Sequence, residues 1–147
     1  MHGLGLKAKF LGGDGAQTTE FLKLAGKDSE GVTASSPGLP LDVMPGGKSF
    51  RDKFTAKYGP IQTYAPYAYD ATYALVEAMR IADSVEPSKY MAAIPKVRFT
   101  GVTGEIGFDD KGDVLGGAIT LYRVKSGKWE VVETVMSGGV KPSATKK

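Results

Sequence analysis

The sequence predicts an α/β fold that ends in antiparallel hairpins, and three observations carry that prediction. Across residues 99–122, FTGVTGEIGFDDKGDVLGGAITLY, apolar positions are interrupted by Gly101, Gly104 and Gly107 and then by the polar run Asp109-Asp110-Lys111-Gly112-Asp113. That is the pattern of strand, turn and strand, with glycine available for positive φ. Residues 48–58 and 66–83 repeat apolar side chains at helical spacing instead. Short strand candidates precede helices in the first half, whereas residues 123–135 read as strand, Lys125-Ser126-Gly127-Lys128 turn and strand, so alternation gives way to hairpins.

Taken in order, residues 7–11 form a strand candidate that runs into Gly12-Gly13-Asp14-Gly15, and residues 16–25 have helical spacing through Phe21, Leu22 and Ala25, with Gly26 as the stop. Asp14 thus stands at a strand-to-helix corner. Its carboxylate can cap the free N–H groups of the helix. Alternatively it points past the helix into a cleft at the carboxyl end of a strand, where open α/β sheets hold their ligands, and pairs there with a cation. Residues 31–35 (GVTAS) form the next strand candidate. Pro37, Pro40 and Pro45 with three glycines make the following stretch irregular, and residues 38–47 are the linker candidate.

The helix expected over 48–58 carries Phe50, Phe54 and Tyr58 in one stripe, read as core packing, and Gly59-Pro60 ends it. The helix expected over 66–83 starts with Pro66, where the missing N–H does no harm. Its inner face reads as Tyr67, Ala71, Ala74, Leu75, Ala78, Ile81 and Ala82. Tyr64 lies on the loop leading in, where its ring either staples the helix entry or lines a pocket. A short helix over 87–94 is expected to end at Pro95, with strands following from Val97, and Trp129 in the last hairpin is expected to pack.

Composition narrows the function classes. With 147 residues and 41% hydrophobic side chains there is chain enough for one ordinary domain. The net charge of +3, with Lys141, Lys146 and Lys147 in a Pro/Ser/Thr-containing tail, is no nucleic-acid footprint. Cysteine is absent, which removes disulfides and thiolate metal sites and fits either redox compartment. No apolar run reaches the roughly 20 residues of a membrane span, and residues 1–6 lack the basic start and apolar stretch of a signal peptide. His2 is the sole histidine, so neither a histidine triad nor a histidine metal cluster is expected, and no catalytic residue or cofactor is proposed. The aspartates at 109, 110 and 113 do not keep the alternate spacing and later Glu of a calcium loop. The glycines at 3 and 5 match a dinucleotide fingerprint by letters only, with no strand ahead of them.

Taken together, Phe99-x-Gly101-x-Thr103-Gly104-x-Ile106-x-Phe108-Asp109-x-x-Gly112-Asp113, the hairpin after it, Tyr67-Ala68-Tyr69-Asp70-Ala71 in the helix before it, and the early turn Phe10-Leu11-Gly12-Gly13-Asp14-Gly15 resemble the C-terminal part of the periplasmic Leu/Ile/Val-binding proteins. These are the type I solute-binding receptors of ABC importers, and the resemblance runs from about residue 5 to 135. It implies part of a two-lobed α/β receptor that closes on a small amino acid in the periplasm, hands it to a membrane permease and performs no chemistry. It further implies that Asp14 receives the ligand's α-ammonium, although many members carry Glu there, and that Tyr64 borders the apolar side-chain pocket.

By the same resemblance, residues 1–37 belong to the second lobe, 38–47 to the inter-lobe linker, 48–104 to the first lobe, 105–135 to the return into the second lobe with its C-terminal hairpins, and 136–147 to a flexible tail. Family members run to well over twice this length, so the chain is expected to be a fragment with open apolar faces that pairs as a homo-oligomer. The alternative expectation is a self-associating structural module that binds no ligand of its own.

Overall fold

The computed structural model describes residue 5 and residues 7–61 and 63–137. His2, most of the glycine run at the start and all but the first two residues of the expected tail lie outside these. The described residues fall into two units, one drawn from Met1–Leu39 and Ala118–Lys147, the other from Pro40–Gly117.

The first unit is built on a four-stranded sheet in which residues 11–12, 33–37, 118–125 and 128–136 lie side by side in that order. Of the strand expected over 7–11 only β1, Leu11–Gly12, is formed, parallel to β2, Thr33–Pro37, which starts two residues later than its pattern suggests. Strand β5, Ala118–Lys125, runs antiparallel to β2 and sets Ala34 against Tyr122 and Ser36 against Thr120. It then turns at Ser126 and Gly127, both at positive φ, into β6, Lys128–Met136. This is the expected hairpin, closed by the left-handed two-residue turn that matches strand twist. The alternation buries Ala34, Ser36, Thr120 and Val124 on one face of this sheet. Thr120, fully buried, donates its hydroxyl to the Gly38 carbonyl at 2.7 Å and lies 2.9 Å from the Thr134 hydroxyl, so its polar atom is satisfied.

Helix α1, Thr19–Ala25, corrects the reading of Asp14 as its cap. The helix starts three residues later than its spacing suggests, and the Thr18 hydroxyl accepts from the Phe21 N–H at 3.0 Å. Asp14 instead opens a separate 3-10 turn, Asp14–Ala16. Gly26 ends α1 at φ 52°, as expected. Trp129 packs as expected, its ring centroid 5.8 Å from that of Phe21 and its indole N–H donating to the Thr18 carbonyl at 3.1 Å.

In the second unit α2, Gly47–Tyr58, and α3, Ala65–Ala82, stand within a residue of their expected limits. They are followed by α4, Pro87–Tyr90, and a 3-10 segment, Met91–Lys96, that contains Pro95 instead of stopping at it. Strands β3, Arg98–Thr100, and β4, Glu105–Gly107, pair antiparallel. Residues 99–122 therefore do not form one hairpin. The first turn is 101–104, the polar loop is closed by a single bridge between Phe108 and Val114, and β5 belongs to the other unit's sheet. Because β4 pairs with β3, residues 105–117 group with the second unit.

The core of the second unit gathers Ala74, Ala78, Ala93 and Val97, with Ile81, Phe99, Ile106 and Phe108 against them. The face of α3 that it uses is the expected one at Ala74, Ala78, Ile81 and Ala82 and departs from it elsewhere: Asp70 is buried, while Ala71 and Leu75, assigned inward by periodicity, are exposed.

Candidate functional site

Asp14 sits where the sequence puts it, just past the carboxyl end of a strand that pairs parallel with its neighbour. The turn that holds it is backbone-made: the Ala16 N–H donates to the Gly13 carbonyl at 3.0 Å and the Gln17 N–H to the Asp14 carbonyl at 2.9 Å. Gly12 is tightly enclosed, because a Cβ there would come within 2.8 Å of the Ala16 methyl and 3.1 Å of the Phe10 ring. Asp14 itself is half-buried, and its backbone is held by the turn.

Tyr64 belongs to the second unit, at the residue before α3. Its carbonyl accepts from the Ala68 N–H at 2.9 Å, which fixes the backbone at the helix entry. Its ring is half exposed. Asp14 and Tyr64 lie in different units.

Each unit has an open hollow of about 600 Å³, and neither of the two is lined by Asp14 or Tyr64. In the first unit Phe10, Phe21 and Val32 meet Asp28, Glu30 and Arg123 around a space of about 620 Å³. In the second, rings stack in series between α2 and α3: Phe54 to Phe50 at 5.6 Å, Phe50 to Tyr69 at 5.3 Å and Tyr69 to Tyr73 at 4.7 Å between centroids. These separations are those of attractive aromatic pairs. The Tyr69 phenol is pushed above its ordinary value, chiefly by its hydrogen bond with Tyr73 and then by burial.

The polar residue that the sequence did not single out is Asp70. Its carboxylate accepts from the Val102 N–H at 2.8 Å, the Thr103 N–H at 2.8 Å and the Thr103 hydroxyl at 2.7 Å, tying the 101–104 turn to α3. Gly101 has to be glycine there, because a Cβ would stand 2.6 Å from the carboxylate atoms. The Val102 carbonyl in turn accepts from the Gly46 N–H at 3.0 Å, so the same turn is also held at the start of α2. The signal that could have revealed Asp70 is an acidic residue four positions before Ala74, on the stripe that proves to be the covered one.

Among the described residues no group of three His, Cys, Asp or Glu side chains is placed to hold a metal ion, and no helix is long and apolar enough to cross a membrane.

Residues 2–128 match the periplasmic binding protein family. A Leu-, Ile-, Val-, Thr- and Ala-binding protein of Pseudomonas aeruginosa is 33% identical over 119 residues, which is 80% of this chain and 32% of that protein. A Leu/Ile/Val-binding protein homolog of Brucella abortus is 33% identical over 130 residues, 86% of this chain and 33% of its own. Among solved structures, a leucine-binding protein from Thermotoga maritima superposes with a TM-score of 0.80 at 26% identity, covering 95% of this chain and 40% of that one. An ABC transporter substrate-binding protein from Desulfitobacterium hafniense, in complex with Leu, gives 0.68 at 25% identity, covering 89% and 37%. The chain spans about a third of the length of these curated relatives. A match that takes in most of both units, joined to an α/β fold of the same kind, shows that the chain belongs to the periplasmic binding protein family, whose members are solute-binding receptors and not enzymes.

Proposed function

We propose that this chain is the C-terminal portion of a periplasmic receptor that binds an amino acid, with branched-chain side chains preferred, for the permease of an ABC importer. The observation that carries the reading is the 33% identity, over four-fifths of the chain, to a protein that binds leucine, isoleucine, valine, threonine and alanine. Within it, Asp14 accepts the α-ammonium of the ligand and Tyr64 borders the pocket for its side chain. The chemistry suits the roles: a carboxylate facing an ammonium in a partly dry site makes a charge-assisted hydrogen bond of about 1.5–3 kcal/mol, and an aromatic ring supplies apolar area with a fixed outline. The Asp14 turn supports this, since its backbone is held by hydrogen bonds of its own.

Calorimetry on the purified chain tests the reading. Leucine, isoleucine and valine are expected to bind weakly, because the chain spans only a third of its relatives' length. Asp14→Ala is expected to weaken that binding at least about tenfold, as loss of roughly 1.5 kcal/mol requires. Leucine binding that ignores both Asp14→Ala and Tyr64→Ala, or a thermal shift produced only by solutes other than amino acids, overturns it. The pairing of two copies that the sequence leads one to expect belongs to the same proposal. Leu24 and Val76, 88% and 56% exposed, supply apolar surface for it, and a compact monomer by light scattering at micromolar concentration counts against it.

A further inference from the structure

The hollow of the second unit is lined by three parts of this chain: α2, the first half of α3 and residues 99–102. Its volume of about 600 Å³ lies in the range of small-molecule sites. Stacked rings form much of its wall. The stripe expected to be core packing is half-buried at Phe50 and Phe54, but the row of rings runs on past the core. Tyr58, Tyr69 and Tyr73 are 65%, 44% and 51% exposed. Open aromatic faces of this kind accept a further flat ring at the separations they already keep among themselves.

The charge on the wall selects among flat rings. Lys53 and Lys57, one turn apart on α2, line the hollow and are exposed. Neither is paired with a carboxylate among the described residues: Asp52, the acid of α2, is held by Lys48 at 3.5 Å, and Asp42, ahead of the helix, by Arg51. Lys57 lies over the Tyr58 ring at 5.2 Å, so a cation already uses the aromatic face there. Asp70, the one acid among the lining residues, is buried and satisfied by three donors of the 101–104 turn. Two ammonium groups without a carboxylate repel a cationic guest and attract an anionic one. They also set this hollow apart from a face that another layer of protein would cover, since lysine is almost never buried without a partner.

We propose that the hollow between α2 and α3 is a ligand site of its own, taking a small planar aromatic anion of one or two fused rings with a carboxylate. The ring system lies against Phe50, Tyr69 and Tyr73, and the carboxylate meets Lys53 and Lys57 at the α2 edge. Neither Asp14 nor Tyr64 lines this hollow, so the site stands apart from the amino-acid reading.

The test titrates naphthoate into the full chain and follows it by NMR, with naphthalenemethanol and naphthylmethylammonium as the neutral and cationic counterparts of the same outline. Naphthoate is expected to bind with a dissociation constant of about 1 mM or below, the level a ligand of this size reaches, and to give intermolecular NOEs to the Phe50 and Tyr69 rings. The alcohol is expected to bind at least about threefold more weakly, and the ammonium not at all. Lys53→Gln combined with Lys57→Gln brings naphthoate down to the level of the alcohol and leaves the alcohol unchanged. Lys89→Gln combined with Lys96→Gln, the same loss of charge elsewhere in the unit, changes neither, and Tyr73→Ala weakens both. All five substituted positions are exposed, and the comparison of three probes on the unsubstituted chain needs no variant. The absence of saturable naphthoate binding, equal affinity for naphthoate and the alcohol, or NOEs only to residues outside the hollow overturns the proposal. A null result here leaves leucine binding untouched, and loss of leucine binding in Asp14→Ala leaves naphthoate binding untouched.

Discussion

At the scale of single residues, Asp70 is the group whose loss the molecule should feel most. Replacing it with alanine strands the Val102 and Thr103 N–H groups in a buried place, which costs about 1–3 kcal/mol for each unsatisfied donor. Asp70→Ala is therefore expected to lower stability by about 3 kcal/mol or more in urea denaturation, and Thr103→Ser, which keeps all three hydrogen bonds, by much less. The spacing of Asp70 before Ala74 hinted at its place, but its partners were not legible for a physical reason: they are 32 and 33 residues away, and no local pattern encodes a contact at that separation. Asp14 was legible as a residue on a glycine-rich corner, but its assignment as a helix cap failed. Thr18 stands closer to the first helical turn, and the chain spends residues 14–16 on a tighter turn of its own. The roles given to Asp14 and Tyr64 came from the resemblance, since an acid on a turn and a ring before a helix have several uses each.

At the scale of elements, α1 is only seven residues long, so its cap matters more than it would in a longer helix. Thr18→Ala is expected to cost about 1 kcal/mol, the usual worth of an N-terminal cap, read as a shift in the urea midpoint with an unchanged slope. The Trp129 indole bond to the Thr18 carbonyl survives that substitution, which confines the effect to the cap. Helices α2 and α3 and the last hairpin were readable because period and turn chemistry agree over their length. Strand β1 was not, as two residues are too few for alternation to show. The inner face of α3 was misread in part, for a different reason. Periodicity marks apolar stripes but does not tell which of two a neighbour covers, so Ala71 and Leu75 were placed inside and Asp70 was passed over.

At the scale of the whole molecule, pH dependence follows from groups in both units. Burial raises the Tyr122 phenol above its ordinary value of 10.0, and Tyr69 is raised by Tyr73. A group whose folded pKa exceeds its unfolded value contributes stability that is complete below the unfolded value and is lost as pH rises through the folded one. The chain is accordingly expected to lose thermal stability above about pH 10, and Tyr122→Phe to flatten that decline, measured as Tm against pH. Glu77 acts in the opposite sense. Arg80 lowers its pKa, so its contribution is present above the unfolded value and fades as pH falls through the folded one; the Arg80 side chain is exposed and Glu77 only partly covered, and the effect is minor.

The first unit draws on both ends of the chain, and Thr120 meets Gly38 across 82 residues. The second is one uninterrupted stretch, Pro40–Gly117. On a ribosome the second can therefore finish while the early strands still lack their partner, and β2 stays an unzipped edge until β5 leaves the exit tunnel. That interval, more than the finished molecule, is when chaperones would find something to hold.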